Sequence, residues 1–432
     1  MSRSDFDVVV IGAPGGYVAA IRSAQLGLKT AIVEKEHMGG ICLNWGCIPT
    51  KALLKNAEVV ELINNASEYG IELKSSKINF EKVIEKTIKA RQRLSKGLHF
   101  QIRKHGIDFY PGYAIFEEKN KISVDDIKIS SEKFIIATGS KPKRLKNLEK
   151  SENVIYAKDI FSLKHLPKSL SIIGAGAIGI EYAYFFNAFG VEVSLIEAKS
   201  NILPNEDVEV SKWVEKVFKR KKIKIQTGTI GEKTDSETTL ISIGVEGNTK
   251  GIGLRKLGMD IDESNHIIVD KNYRTNIDNI YAVGDVIGPP WLAHVSTVEG
   301  IFVADYVADK KPKSINYNCV PACTYSKPEI ASIGFTEEQL VEKKINYKTA
   351  KSFFNSNGKA VATSSTDGFI KILVSDDNSI LGAHIVGSNA TEMISEFSLA
   401  MSNKLKIDNI LDSIHPHPTF SEAIFETLLQ LK

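Results

Sequence analysis

The chain begins its patterned part with FDVVVI, Phe6 to Ile11, an almost unbroken apolar and β-branched run. Such a run, without polar alternation, predicts a parallel strand covered on both faces. The glycines of GAPGG come at once, and then YVAAIRSAQLG, whose small residues predict a helix packed close to that strand. The same order returns in LSIIGAGAIGIEYAYFFNAFGVEVSLIE, Leu170 to Glu197. Each copy reads as strand, glycine loop, helix and second strand, and each second strand ends on an acid, Glu34 or Glu197. The fold class is therefore α/β, with two Rossmann-like units.

The glycines give these units a chemistry. Gly174, Gly176 and Gly179 fit G-x-G-x-x-G: a tight turn, a close approach of backbone to a pyrophosphate, and close helix packing, with the helix N-terminus facing the anion. Gly12, Gly15 and Gly16 take these places in the first copy, and Glu34 and Glu197 stand where a carboxylate binds ribose hydroxyls and repels a 2′-phosphate. From the last loop glycine to the glycine ending the helix is eleven residues in both copies, and from there to the acid is seven. The first loop alone is one residue short, spanning four steps against five. One residue lost there predicts a helix turned by about 100° relative to its strand, and a poorly held pyrophosphate.

Length adds organisation. At 432 residues the chain is too long for one core and divides into about three domains. A net charge of +3, from 55 basic and 52 acidic residues, points to neither a nucleic-acid nor a membrane-surface partner. The basic run Phe218 to Ile225 reads as a solvated helix end. Apolar runs are too short to span a bilayer, and the opening MSRSDFDVVVIG lacks the features of a leader, so a cytoplasmic protein is expected.

Four cysteines cannot make a secreted disulfide scaffold. Two of them, Cys42 and Cys47, lie in GGICLNWGCIPTK, Gly39 to Lys51. Five extended residues reach about 17 Å and a disulfide needs Cα atoms within about 7 Å, so the chain must fold back, which Gly46 permits. Pro49 suits a first helical turn, placing Cys47 near a helix N-terminus that lowers a thiol pKa. A redox pair fits this pattern. Buried structural thiols, or a zinc site with Cys319 and Cys323, remain alternatives.

GGICLNWGCIPTKALL resembles the redox-active segment of the flavin-dependent pyridine nucleotide-disulfide oxidoreductases, and its CLN-x-GCIP core is most similar to the dihydrolipoyl dehydrogenase branch. The likeness runs from about Asp5 to the C-terminus, through ATG (Ala137 to Gly139) and TNIDNIYAVGD (Thr275 to Asp285). It implies an FAD-binding domain at 1–143, an NAD-binding domain at 144–245, a central segment at 246–314 completing the FAD domain, and a C-terminal α+β dimerisation domain at 315–432. By the same resemblance Cys47 faces the flavin and Cys42 meets substrate. Lys51 lies near the flavin with Glu181 as its partner, and Thr138, Gly139, Gly284 and Asp285 bind FAD. His417 and Glu422, in IHPHPTFSEAIF, form an acid–base dyad that completes the partner subunit's site.

The implied activity is oxidation of protein-bound dihydrolipoamide by NAD in a homodimer, with no metal. The implied partner is the lipoyl-bearing acyltransferase of a 2-oxo acid dehydrogenase complex. Alternatives are a related disulfide or metal-ion reductase, and a flavin-deficient binding protein of the same fold. Taken alone, Thr419-x-x-Glu422 also reads as a capping box at the start of a helix. The chain departs from the family's pattern in the short first loop, in a compressed stretch near Asp125, and at Gln226 to Ser242, too short for the usual β-meander. Val295 stands where this branch often has lysine.

Overall fold

A computed structural model describes residues 4–13, 15–148, 151–231 and 234–432. Pro14, in the middle of the short first loop, lies outside these residues. The chain divides into two compact units, one of Met1–Ala52, Glu81–Lys143 and Gly244–Ile315, the other of Leu53–Phe80, Arg144–Ile243 and Asn316–Lys432.

The first unit is built on strand β1 (Phe6–Ile11), helix α1 (Gly16–Gln25) and strand β2 (Thr30–Glu34). β1 runs parallel to β2 on one side, Val10 opposite Ile32, and to the strand Ile127–Ile136 on the other, Val9 opposite Phe134. Val9, Val10 and Ile32 are fully buried. The reason is two-sided cover: Val8 and Val10 pack with Ala19, Ala20, Phe302 and Val303, while Val9 and Ile11 pack with Phe116, Ile122 and Ile252. Each such side chain contributes about 1.5–3 kcal/mol on burial. The compressed stretch is a tight hairpin: Lys121–Val124 turns straight into Ile127–Ile136, with Asp125 at φ 50°.

The second unit holds two sheets. In the first, Lys224–Thr227, Glu192–Glu197, Ser169–Ile173, Thr238–Ile241 and Val154–Ile155 lie side by side, all parallel. Among the described residues no strand forms between Thr227 and Thr238. The second sheet is antiparallel, in the order Ala322–Thr324, Glu329–Gly334, Ile380–Gly387, Phe369–Val374, Lys348–Phe353. It packs Ile370, Ile372 and Ile385 against Ile394 and Phe397 of the helix Ala390–Ser402 and Ile424 of the helix Glu422–Leu429. Two Rossmann-like sheets and a C-terminal α+β layer are the expected fold class. Among the described residues no helix is long and apolar enough to cross a membrane.

The two glycine units agree at both ends. Gly12 and Gly174 turn the chain alike, at φ 95° and 99°, each donating its N–H to the neighbouring strand at 2.8 Å, to Val33 and Ile196. Gly27 and Gly190 end the helices alike, at φ 85° and 84°. Counting from Gly16, positions 0, 3, 4 and 7 of α1 are buried, Gly16, Ala19, Ala20 and Ser23, whereas in the helix Ala177–Ala188 every residue from Gly179 to Phe186 is buried. α1 starts at Gly16, while that second helix starts two residues before Gly179.

Candidate active site

Each copy holds its strand-end acid by the same pair of bonds. Glu34 accepts the N–H of Ala13 at 2.8 Å and of Glu36 at 2.9 Å; Glu197 accepts those of Ala175 at 2.8 Å and Lys199 at 2.9 Å. Both carboxylates are 8% exposed. Burial is the larger influence on Glu34 and raises its pKa against the two amides. A carboxylate fixed in this way at the mouth of a glycine loop can receive ribose hydroxyls, and its charge opposes a 2′-phosphate.

Around Glu34 the first unit forms a small cavity lined by Gly12, Lys35, Tyr113, Thr138 and Asn248. The Thr138 hydroxyl is buried there without a hydrogen-bond partner. Asn248 donates to the Thr138 carbonyl at 3.3 Å, and its N–H bonds Gly139 O at 3.0 Å. Nearby, Gly284 donates its N–H to the buried Glu299 at 2.7 Å. Asp285 accepts the Ser140 hydroxyl at 2.8 Å, and burial raises its pKa. An unpartnered buried hydroxyl beside a clamped acid fits a nucleotide such as the adenosine part of FAD.

The second unit fits a dinucleotide on different grounds. A Cβ on Gly179 would lie 2.0 Å from Gly174 O, so that glycine serves helix packing. A Cβ on Gly176 would meet nothing within 4 Å. The space beside Gly176 is open, where a pyrophosphate needs it.

The cysteines lie where two helices meet. α2 (Gly40–Asn44) carries Cys42, and Cys47 is the first residue of the long helix α3 (Cys47–Asn64). Gly46 makes the fold-back: a Cβ there would lie 3.0 Å from Ile41 O and 3.2 Å from the Cys42 Cα. α2 is held by Asn44, whose amide donates to Gly40 O at 2.8 Å and Met38 O at 3.2 Å. No disulfide joins the two thiols, and the Cys42 thiol is hydrogen-bonded to Cys47. That bond, and then burial, raise the pKa of Cys42, while the positive charge of Lys51, one turn into α3, opposes them. Cys42 therefore keeps its proton beside Cys47, the thiol at the helix N-terminus. Burial raises the pKa of Tyr17 of α1, and Tyr17 stands near enough to Cys42 that any charge there would raise it further. Cys319 accepts from the Asn316 amide and Cys323 packs against the antiparallel sheet's core. Among the described residues no three His, Cys, Asp or Glu side chains gather to hold a metal.

In the second unit, Glu181 is buried and accepts the Tyr325 N–H at 3.0 Å. His417 Nδ1 lies 2.7 Å from Glu422 Oε1, and the other Glu422 oxygen accepts the Thr419 N–H at 2.7 Å. That amide and His417 hold the Glu422 pKa below its ordinary value. The helix starts at Glu422 rather than near Thr419, whose hydroxyl turns to Pro416 O instead. The His417 side chain is 77% exposed.

The model of the pyridine nucleotide-disulphide oxidoreductases matches residues 6–300, and that of their dimerisation domain matches residues 320–428. The chain belongs to the pyridine nucleotide-disulphide oxidoreductase family. Dihydrolipoyl dehydrogenases of Bacillus subtilis and Zymomonas mobilis are 40% and 39% identical, covering 99% and 98% of this chain and 98% and 97% of their own. These alignments run over 465 and 459 positions, more than this chain has residues, so the relatives carry segments it lacks. The fold matches LpdA of Mycobacterium tuberculosis with TM-score 0.91 at 22% identity, over 98% of this chain and 99% of that one. It also matches the HOCl-induced flavoprotein disulfide reductase RclA of Escherichia coli, with TM-score 0.89 at 25% identity, over 99% and 100%.

Several residues of this oxidoreductase site were not foreseen from the sequence. Ser296 lies against two glycines: a Cβ on Gly15 or Gly284 would come within 2.8 Å or 3.1 Å of its Cβ. Glu299, Asn248 and Tyr17 were likewise missed. Each is distant in sequence from what it touches, and only the closeness of LAHVSTVEG to the glycine of VGD hinted at the first two.

Proposed function

We propose that this oxidoreductase oxidises protein-bound dihydrolipoamide to lipoamide and reduces NAD to NADH. The observation that carries the reading is the Cys42–Cys47 contact at the N-terminus of α3. The near full-length similarity to dihydrolipoyl dehydrogenases supports the substrate. The family's cofactors are FAD and NAD. Gly12, Gly15, Gly16, Glu34, Lys51, Thr138, Gly139, Gly284 and Asp285 would hold FAD, with Glu181 the expected carboxylate partner of Lys51, and Gly174, Gly176, Gly179 and Glu197 would serve the NAD side. The clamped Glu197 favours NAD over NADP. FAD, when bound, supplies a two-electron acceptor between the dithiol and NAD.

In this reading the oxidised enzyme carries a Cys42–Cys47 disulfide. His417, oriented through Nδ1 by Glu422, takes a proton from one substrate thiol. The thiolate attacks Cys42 Sγ, the Cys42–Cys47 bond breaks, and Cys47 leaves as a thiolate favoured by the helix dipole and by Lys51. The second substrate thiol then attacks the mixed disulfide, lipoamide closes, and Cys42 departs and takes up a proton. The enzyme holds the two electrons as a dithiol pair. His417 serves the partner subunit's cysteines, so the working form is the homodimer that the dimerisation domain supports.

We assign residues 1–143 and 246–314 to FAD binding, 144–245 to NAD binding and 315–432 to dimerisation. The natural partner is the lipoyl-bearing acyltransferase of a 2-oxo acid dehydrogenase complex, in the cytoplasm. Turnover of dihydrolipoamide with NAD, compared with glutathione disulfide and NADPH, tests the assignment; a preference for the second pair overturns it. Cys47→Ser is expected to abolish turnover while preserving a visible flavin spectrum.

A further inference from the structure

The second unit buries a lysine that no step above uses. Lys371, on the strand Phe369–Val374, is 0% exposed and donates to both oxygens of Asp207, at 3.1 and 2.9 Å, and to Glu209 and Glu337. Asp207 is also fully buried. It caps the helix Val208–Arg220 by accepting the Glu209 N–H at 3.0 Å, and it accepts the Glu337 N–H at 3.2 Å. Buried ion clusters add little stability over apolar packing; what they supply is direction and register.

The cluster's reach is visible in the hydrogen bonds before it. Within the same helix, Ser211 donates its hydroxyl to Leu203 O at 3.2 Å, and the Glu206 N–H bonds the same oxygen at 3.0 Å. Leu203 is 3% exposed and sits at φ 48°, a region that costs a leucine about 1–2 kcal/mol and persists only where the surroundings impose it. In that conformation it donates its N–H to Ala175 O at 2.8 Å. Ala175 lies between Gly174 and Gly176, and its own N–H is taken by Glu197. The glycine loop's middle peptide groups are thus held on one side by Glu197 and on the other by Leu203.

We propose that Lys371 is a positioning residue for NAD: through Asp207, the helix Val208–Arg220 and Leu203, it sets where the Gly174–Gly176 backbone stands. This rests on the reading of that loop as the NAD site. The helix cap fixes the first turn, the first turn holds the Leu203 carbonyl, and the Leu203 amide holds the loop.

The test is calorimetric titration of NAD into the FAD-loaded dimer, beside the two half-reactions measured separately. Lys371→Met is expected to weaken NAD binding about fivefold to tenfold and to raise KM for NAD by the same factor. Reduction of the enzyme by dihydrolipoamide, which needs no NAD, is expected to keep its wild-type rate. If Lys371→Met does not fold, the paired variant Asp207→Asn with Lys371→Met removes both buried charges and keeps a capping acceptor; it carries the same expectation. Unchanged NAD affinity, or an equal loss in both half-reactions, overturns the proposal. Gly176→Val separates the two ways of failing. If it leaves NAD binding intact, the NAD reading of the loop falls and the proposal with it. If it abolishes binding while the Lys371 variants do not alter it, only the positioning role falls.

Discussion

The two glycine loops share a crowded first glycine, a Cβ on Gly12 lying 2.3 Å from Ala137 O and one on Gly174 2.4 Å from Ser242 O, but in the first unit a Cβ on Gly15 would also press on Ser296. In the second, Gly176 faces open space. Yet both units clamp their acids through the same two amides, at distances agreeing within 0.1 Å. The acid's place is set by the sheet, since each clamp joins adjacent parallel strands and survives a loop of either length. The glycines do not share one purpose. Gly12, Gly15, Gly174 and Gly179 are required by packing, whereas nothing within the chain requires Gly176.

The largest effect that would break this comparison is at Gly12. Gly12→Ala puts a methyl against the Ala137 carbonyl in a left-handed conformation, at a cost of about 3 kcal/mol or more. Loss of bound flavin and a fall in Tm are expected. Gly176→Ala is expected to leave stability within about 0.5 kcal/mol of wild type. Equal destabilisation of the two variants in urea titrations would erase the distinction.

The units also part company beyond the acid. After Glu34 the chain reaches Cys42 and its helix; after Glu197 it reaches Glu206, a half-buried residue whose Oε2 is buried without a hydrogen-bond partner and whose pKa burial pushes up to about 7, with Ser332 opposing and Asp207 adding. A raised value sets the sign. Below about pH 4.5 folded and unfolded chains both hold the proton, and the contribution to stability is complete. Above that the unfolded chain releases it and the folded one does not, so stability is lost as pH rises through about 7, by up to about 3 kcal/mol. The difference in unfolding free energy between wild type and Glu206→Gln, measured from pH 5 to 8, should change in that direction. A difference that stays level across this range refutes the assignment.

Much of this was legible in the chain. The apolar runs at β1 and Leu170 to Ile173 reported two-sided burial directly, and the matched spacings to Glu34 and Glu197 foretold equivalent clamps. Gly46 announced the cysteine fold-back, and the motif around His417 and Glu422 led to their pairing. The effect of the short loop on its helix was not legible, because counting residues does not say where a first turn begins: α1 starts at Gly16, its counterpart two residues before Gly179. Ser296 and Glu299 stayed hidden since they meet Gly15 and Gly284 only after the sheet closes. Leu203 stayed hidden because a left-handed leucine has no sequence signature.

The finest test asks whether the two clamps are equivalent in energy as well as geometry. Glu34→Gln and Glu197→Gln each keep one oxygen to accept an amide and lose the second acceptor, leaving one of two buried N–H groups unsatisfied. Each should cost about 1–2 kcal/mol in urea denaturation. Ligand effects should then divide the pair. Glu34→Gln weakens FAD retention, measured by dialysis and flavin absorbance, and leaves the NAD to NADP preference unchanged. Glu197→Gln keeps the flavin but narrows that preference, because the charge that opposed a 2′-phosphate is gone while the scaffold around it stands. If both variants changed the nucleotide preference, or neither did, the two clamps would not belong to separate nucleotides.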